Sequence, residues 1–422
     1  MNRRYFLPTL AAGVAKTKLR AAPSDRINVA IIGVRGRGRA LAGGFAKTAD
    51  ASIEYLVDVD DRVIPAAADV IEKAGRKRPK SLRDMRRVFD DKTIDAVIIA
   101  TPDHWHAPAA ILACDAGKDV YLEKPCSHNL REGRLIVEAA RRHKRIVQHG
   151  TQARSRENTR QAIDYVHSGK IGKVVMAKGW DVQRREDIGH KPDTPVPNDV
   201  DYDLWVGPAP MMPFNENRFH YTWHWNWNFG TGDAGNNGAH QIDIARWALG
   251  VDYPTSAAGA GAKLYFDDDQ QTPDTLNVTF RYPGKMLQFE LRIWNPYGME
   301  GAENGVAIYG GDGMVQIAKW DRLWGYKVFD NKGKLVKHEQ SQGEDEGHIR
   351  NFLDCVRSRQ APNAEIEIGF TSVVHCHLAN IIARTGHNVR YDAKANSVSG
   401  DASAAKLVTR EYREHWAKPR GV

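Results

Sequence analysis

The stretch "RINVAIIGVRGRGRALAGGF", residues 26–45, constrains the fold of this 422-residue chain more than any other. Its apolar, β-branched run from Ile27 to Ile32 is short and reads as a buried strand. A glycine-rich turn and a helix-like segment follow. The G-x-G-x-x-G spacing falls on Gly33, Arg35 and Gly38, so an arginine holds the middle position, with Gly36 beside it. A tight turn still needs Gly33, and close helix packing still suits Gly38. The next run, "ASIEYLVDVDD", predicts a second strand ending at Asp58, twenty residues past Gly38. An acid at that spacing accepts hydrogen bonds from ribose hydroxyls and repels a 2′-phosphate. Gly33, Arg35, Gly36, Gly38 and Asp58 therefore form a candidate dinucleotide site. NAD is favoured over NADP, a preference that the nearby Arg62 tempers.

The segment "IDAVIIATPDHWHAPAAILACDAGKDVYLEKP" continues the pattern: a strand over Ala96–Ala100, a helix over Ala107–Ala116 and a strand over Asp119–Leu122. Alternating β and α units of this length predict a doubly wound parallel sheet. Ligands bind such sheets beyond the carboxyl ends of the strands, where Thr101-Pro102 and Glu123-Lys124-Pro125 fall. From about Gln152 the pattern changes. Runs such as "TLNVTFRYPGKMLQFELRIW" alternate and are rich in β-branched and aromatic residues, which predicts antiparallel strands. The expected division is a leader over 1–25, a nucleotide domain over 26–150 and a second α+β domain over 151–422.

The formal charge of +8 is largely a leader effect, since Arg3, Arg4, Lys16, Lys18 and Arg20 precede the first acid. No basic block with interleaved aromatics argues for nucleic acid. Four cysteines are widely spaced without a CxxC, so neither a metal site nor a disulfide framework is expected. No run approaches the eighteen or more consecutive apolar residues of a membrane helix. Paired arginines before a short apolar stretch, with Ala21-Ala22 after it, match a twin-arginine export signal, although Asn2 and the two lysines depart from the usual form.

Further along, "GDAGNNGAHQIDIARW" puts Asp233, Asn236, His240, Asp243 and Trp247 on one stripe of a helix. A core-facing stripe is normally apolar, so this one predicts a polar cleft. Between Trp205 and Asp233 a long loop interleaves Trp205, Tyr221, Trp223, Trp225 and Trp227 with His224, Asn226 and Asn228. Such alternation suits a carbohydrate, which offers both C–H faces and hydroxyls. It equally suits a loop pinned by buried rings.

Together "GVRGRG", "ATPDHWH", "GKDVYLEKP" and "GAHQIDIARW" resemble the Gfo/Idh/MocA oxidoreductases, and the tail segments "GHIRNFLDCVRSRQAP", "HCHLANIIARTG" and "REYREHWAKP" resemble an exported branch. The resemblance implies an N-terminal Rossmann domain and a C-terminal α+β domain with an open, mostly antiparallel sheet used for homo-oligomer contacts. It implies that Lys124 is the catalytic lysine at the reacting hydroxyl, that Pro125 is cis, and that Glu123 positions the turn. His240 matches the family's general base or acid. Inositol-type members carry an aspartate where this chain has Asn236, and an amide cannot take a proton, so Asp233 or Lys124 is expected to supply that function. Thr101 and His106 are assigned to the cofactor side, and Trp225, Asn236, His240 and Asp243 to the substrate side. His106 of the His104/His106 pair is expected to act structurally or behind the site. His375 and His377 fall on different helix faces. His149, Thr151 and Gln152 are expected to edge the pocket.

The implied activity is hydride transfer between a tightly held NAD(P) and a secondary hydroxyl of a sugar, polyol or glycoside. The main rival is an NAD-dependent glycosidase working by transient oxidation and elimination, although that branch's Thr-His-Gly-x-Gly-Pro-Val stretch is missing. A third reading is a non-catalytic sugar or nucleotide sensor.

Overall fold

The computed structural model describes residues 26–342 and 345–422, so the expected leader lies outside the described residues. The first part runs β1 (Ile27–Ile32), α1 (Gly36–Lys47), β2 (Ala51–Val57), α2 (Ile64–Lys73), β3 (Lys80–Leu82), α3 (Arg86–Asp90), β4 (Ala96–Ile99), α4 (Asp103–Asp115), β5 (Asp119–Leu122), α5 (Leu130–Arg142) and β6 (Val147–His149). The six strands pair in parallel in the order β3-β2-β1-β4-β5-β6. Alternate strand residues enter two cores. Ile32, Val97, Ile99, Val120 and Leu122 face one side, while Val29, Ile31, Ile98 and Tyr121 face the other. Both faces are covered, which is why these strands read as unbroken apolar runs.

The remaining chain contributes α6 (Glu157–His167), β7 (Val174–Val182), α7 (Tyr202–Val206), α8 (Gly232–Asn236), α9 (Gly238–Leu249), β8 (Ser256–Ala262), β9 (Thr275–Tyr282), β10 (Lys285–Arg292), β11 (Asn304–Gly310), β12 (Gly313–Trp320), β13 (Leu323–Asp330) and β14 (Leu335–Ser341). It ends with α10 (Glu346–Ser358), α11 (Ile366–Thr385), β15 (Val389–Asp392), β16 (Ser397–Ser399) and α12 (Ala402–Lys406). Ten strands form one sheet, ordered β14-β13-β12-β11-β7-β10-β9-β8-β15-β16. Only β7 and β10 pair in parallel. Helix α9 lies so close on this sheet that a Cβ at Gly179 of β7 would stand 3.2 Å from Gln241.

Two departures from the sequence reading concern helix limits. Helix α4 starts at Asp103 rather than Ala107 and carries Pro108 inside it. The polar stripe is not one helix: α8 and α9 are separate, and Asn237 stands between them. The chain also folds back on itself. Helix α10 returns to the first sheet, where Phe352 meets Phe45 and Tyr121 edge to face at 6.4 and 5.8 Å. The last residues cross to α4, with Trp416 at 5.7 Å from Trp105.

Candidate active site

Strand order reverses between β1 and β4, and the cleft opens there, as expected for a doubly wound sheet. It has a volume of about 310 Å³. The β1–α1 turn forms its floor. Gly33 has φ +81°, and a Cβ on it would sit 2.7 Å from Ala100 O; a Cβ on Gly38 would sit 1.7 Å from Gly33 O. Gly36 differs: its φ is +29°, and a Cβ there would meet nothing within 4 Å. The open space over Gly36, and a helix start at Arg35 without a side-chain cap, fit a pyrophosphate. Asp58 accepts from Val34 N at 2.8 Å and Asp60 N at 3.1 Å, which fixes its carboxyl at the end of β2. Burial pushes it up to about 6. Arg62 holds Asp60 through two bonds of 2.7 Å. The hydroxyl of Thr101, buried at the end of β4, has no partner among the described residues. These residues fit a nicotinamide dinucleotide.

The Lys124–Pro125 peptide is cis. His106 ties this turn to the end of β4, with Nδ1 at 2.5 Å from Pro125 O and Nε2 at 2.8 Å from Thr101 O. Glu123 is buried under Arg37, whose Nε donates to it at 2.6 Å, and Gln152 donates at 3.2 Å. Burial pushes Glu123 up, but the charges of Arg37 and Lys124 outweigh it and keep the carboxyl below its ordinary value. Lys124 Nζ donates to Asn236 Oδ1 at 2.6 Å. Asn236 in turn donates from Nδ2 to Asp233 Oδ1 at 2.9 Å, so its amide can face the lysine only with its oxygen. Asp233 is held by Arg185 through bonds of 2.9 and 2.8 Å. Burial lowers the Lys124 ammonium from its usual range, against the pull of Glu123 and Asp103.

Lys124, Asn236 and the nucleotide-side residues Gly33, Arg35, Gly36, Asp58, Thr101, Glu123 and His106 thus border one cleft. Asp233 stands directly behind Asn236. His240 does not line the cleft; it is half-buried, and burial followed by the charges of Lys124, Arg156 and His149 pulls it well below its ordinary value. Two more of the expected site residues also stand away from the cleft. Asp243 reaches neither cleft nor His240, because Arg154 takes it at 2.8 Å and Ser372 at 2.7 Å in the wholly buried interior. Trp225 is 4% exposed and packs beneath Arg185, whereas Tyr221, Trp223 and His224 of the same loop face the cleft. Trp205, Phe219 and Phe229 form the small core that pins the loop.

The histidines flagged in the sequence have separate partners. His104 contacts Trp205 O at 2.9 Å, His375 binds Tyr282 and His377 lies 3.1 Å from Ser127 Oγ. His149 lies 3.4 Å from Thr151 Oγ behind the Glu123 turn. Sequence reasoning passed over Arg37, Arg185 and Asp103. An arginine in a glycine turn and one beyond a strand both read as solvated. Asp103 did carry a clue, being the first acid past the carboxyl end of β4.

A parallel nucleotide-binding sheet joined to an antiparallel sheet, with a lysine turn where they meet, defines a two-domain dinucleotide-dependent oxidoreductase architecture. The chain belongs to the Gfo/Idh/MocA oxidoreductase family: the family's NAD-binding Rossmann fold matches residues 27–151, and its C-terminal alpha/beta domain matches residues 174–418. Curated relatives include a glycosyl hydrolase family 109 protein of Stenotrophomonas maltophilia, 35% identical over 133 residues that cover 29% of each chain. Levoglucosan dehydrogenase of Pseudarthrobacter phenanthrenivorans is 28% identical over 184 residues, covering 44% of this chain and 40% of the relative. The matched stretches span less than half the length of these relatives. Solved structures of the same fold include GenD2 from gentamicin A biosynthesis in complex with NAD (TM-score 0.67, 18% identity, 90% of this chain and 100% of that one). Another is an aldose–aldose oxidoreductase from Caulobacter crescentus complexed with glycerol (TM-score 0.66, 17% identity, 86% and 99%).

Proposed function

We propose that this protein is an NAD-dependent oxidoreductase that moves hydride to or from a secondary hydroxyl of a sugar, polyol or glycoside. One observation carries the reading: Lys124, free of ion pairs among the described residues, donates to Asn236 where the nucleotide cleft meets the second domain. A nicotinamide bound in that cleft supplies the hydride acceptor. Gly33, Gly36 and Asp58 hold the dinucleotide, and the engagement of Arg62 by Asp60 favours NAD. Lys124 binds the substrate hydroxyl and handles its proton, and Asn236 fixes the direction in which Nζ points. Tyr221, Trp223 and His224 present rings and polar edges to a sugar. The levoglucosan complex of a structural neighbour supports that substrate class.

The cofactor is tightly held. Residues 199–224 strap the second domain over the nucleotide end. Asp61 N donates to Asp199 O at 3.1 Å, Asp201 N to Val59 O at 2.8 Å, and His220 Nε2 lies 3.1 Å from Asp60. A cofactor enclosed in this way is recycled in place by a second substrate. Acid release of the nucleotide from purified protein, followed by a screen of sugars for a change in its redox state, tests the reading. Recovery of no nucleotide, together with no redox response when NAD is added, would overturn it.

A second reading is kept because family 109 glycosyl hydrolases stand among the relatives: transient oxidation and elimination that ends in glycoside cleavage. Aglycone release from an aryl glycoside without NADH accumulation distinguishes it. A sensor role requires Lys124→Ala to leave every substrate response intact. We also propose twin-arginine export, checked by the mature N-terminus. Homo-oligomerisation is proposed through the sheet face that carries the half-buried Met176, Tyr309, Met314 and Phe329, checked by light scattering.

A further inference from the structure

Tyr221 and Lys124 are the two ends of one hydrogen-bonded chain. Lys124 Nζ donates to Asn236 Oδ1 at 2.6 Å, and Asn236 Nδ2 donates to Asp233 Oδ1 at 2.9 Å. Arg185 grips the same carboxylate through Nε at 2.9 Å and Nη2 at 2.8 Å, and its Nη1 donates to the Tyr221 hydroxyl. The Asp233 carboxylate is wholly buried and Arg185 nearly so, which fixes the middle of the chain. Both ends line the cleft.

The direction of each hydrogen bond decides what this wall offers a ligand. A guanidinium only donates, so the Tyr221 oxygen accepts from Arg185 and its own O–H hydrogen is left over, with no acceptor among the described residues. His224 stands beside it on the short 3₁₀ turn Thr222–Trp225, with the two ring centroids 4.8 Å apart. Its Nδ1 contacts the Tyr221 carbonyl oxygen. A carbonyl only accepts, so Nδ1 carries the hydrogen and Nε2 is a bare acceptor, again without a partner among the described residues. Burial, the largest influence, pulls the imidazole down to about 3, so it keeps this neutral form at neutral pH. The ring is held in place: it stacks on Trp223 at 3.6 Å and 18°, and a Cβ at Gly230 would sit 2.4 Å from His224 O. One donor and one acceptor therefore stand side by side at the cleft, and neither is used by the protein.

Resting on the oxidoreductase reading, we propose that Tyr221 and His224 form a subsite for a second hydroxyl of the substrate, distinct from the one at Lys124. A hydroxyl accepts from the Tyr221 O–H and donates to His224 Nε2 at once. A carbonyl or ether oxygen only accepts and leaves Nε2 unpaired. The substrate class is therefore a sugar or polyol with a free second hydroxyl, rather than an isolated secondary alcohol or a ring alkylated at that position. The chain through Arg185, Asp233 and Asn236 fixes this subsite relative to Lys124, so the second hydroxyl selects which carbon is presented to the lysine.

The test reads binding, by calorimetric titration of the protein in the presence of NADH, with levoglucosan and each of its monodeoxy analogues as probes. One analogue is expected to bind the wild type at least about tenfold more weakly than levoglucosan. His224→Phe and Tyr221→Phe are each expected to lose about tenfold on levoglucosan and nothing further on that analogue, because the hydroxyl they hold is already gone. His224→Gln, whose side-chain oxygen can accept where Nε2 stood, is expected to regain affinity relative to His224→Phe. Losses that simply add, equal binding of all the analogues, or no binding of levoglucosan would overturn the proposal. Reduction of NAD, followed separately, distinguishes the two readings. Coupled binding losses without NAD reduction would sink the oxidoreductase reading and leave the subsite standing, whereas NAD reduction with additive losses would sink the subsite alone.

Discussion

At the scale of single residues, Asn236 decides how Lys124 is presented. Its amide nitrogen is committed to Asp233, so its oxygen faces the ammonium at 2.6 Å without adding charge. Asn236→Asp would put one further carboxylate between Asp233 and Lys124. An opposite charge this close favours the ammonium, so the lysine's midpoint rises. The expected outcome is about a tenfold loss of kcat/KM at pH 7, partly recovered as pH increases. A pH–rate series on any active sugar checks it, and an unchanged profile would mean that the identity of residue 236 is incidental. The reading of Asp243 shows how a residue pattern misleads at this scale. It shares a helical stripe with His240, but Arg154 and Ser372 reach it first, from elements distant in sequence.

Among the elements, the β1–α1 turn separates two demands on glycine. Gly38 is needed for packing, because a Cβ there collides with Gly33 O at 1.7 Å. Gly36 is needed for the open space above it. Gly38→Ala is therefore expected to cost about 1–3 kcal/mol of stability, as overpacking does. Gly36→Ala meets no neighbouring atom but strains the backbone at φ +29°, so it is expected to cost about 1 kcal/mol, less than Gly38→Ala, and to weaken nucleotide binding. Thermal midpoints with and without added NAD separate the two: Gly38→Ala falls in both, whereas Gly36→Ala loses mainly the NAD-dependent part. This element was legible from its spacing despite Arg35 in the middle position, since both turn geometry and close approach are local. The stripe at 232–247 was legible as polar, but the interruption at Asn237 between α8 and α9 was not.

At the scale of the molecule, the chain's end braces the strap. Arg413 donates to Gly207 O and to Asp203, Trp105 Nε1 donates to Trp205 O at 2.9 Å, and Trp416 packs between Trp105 and the Arg86 guanidinium at 4.5 Å. Trp416→Ala is expected to cost roughly 1–2 kcal/mol, less than for a fully buried tryptophan. It should also speed release of the bound nucleotide. Exchange against excess labelled NAD measures this, and an unchanged rate would mean that the tail stabilises the fold without guarding the cofactor.

The sequence by itself determined the parallel sheet, its glycine turn, the acid at Asp58 and the lysine turn, because each depends on neighbours a few residues away or on a fixed spacing within one unit. It also carried the family, through short motifs that hold their spacing. Only the tertiary structure decided which polar residues meet. Arg37 on Glu123, Arg185 on Asp233, Arg154 on Asp243 and Thr231 on Asp103 are contacts between distant segments. Each settles whether a buried charge is already neutralised or remains free for chemistry. A buried ion is costly until another segment supplies its partner, and no local pattern says which segment that is.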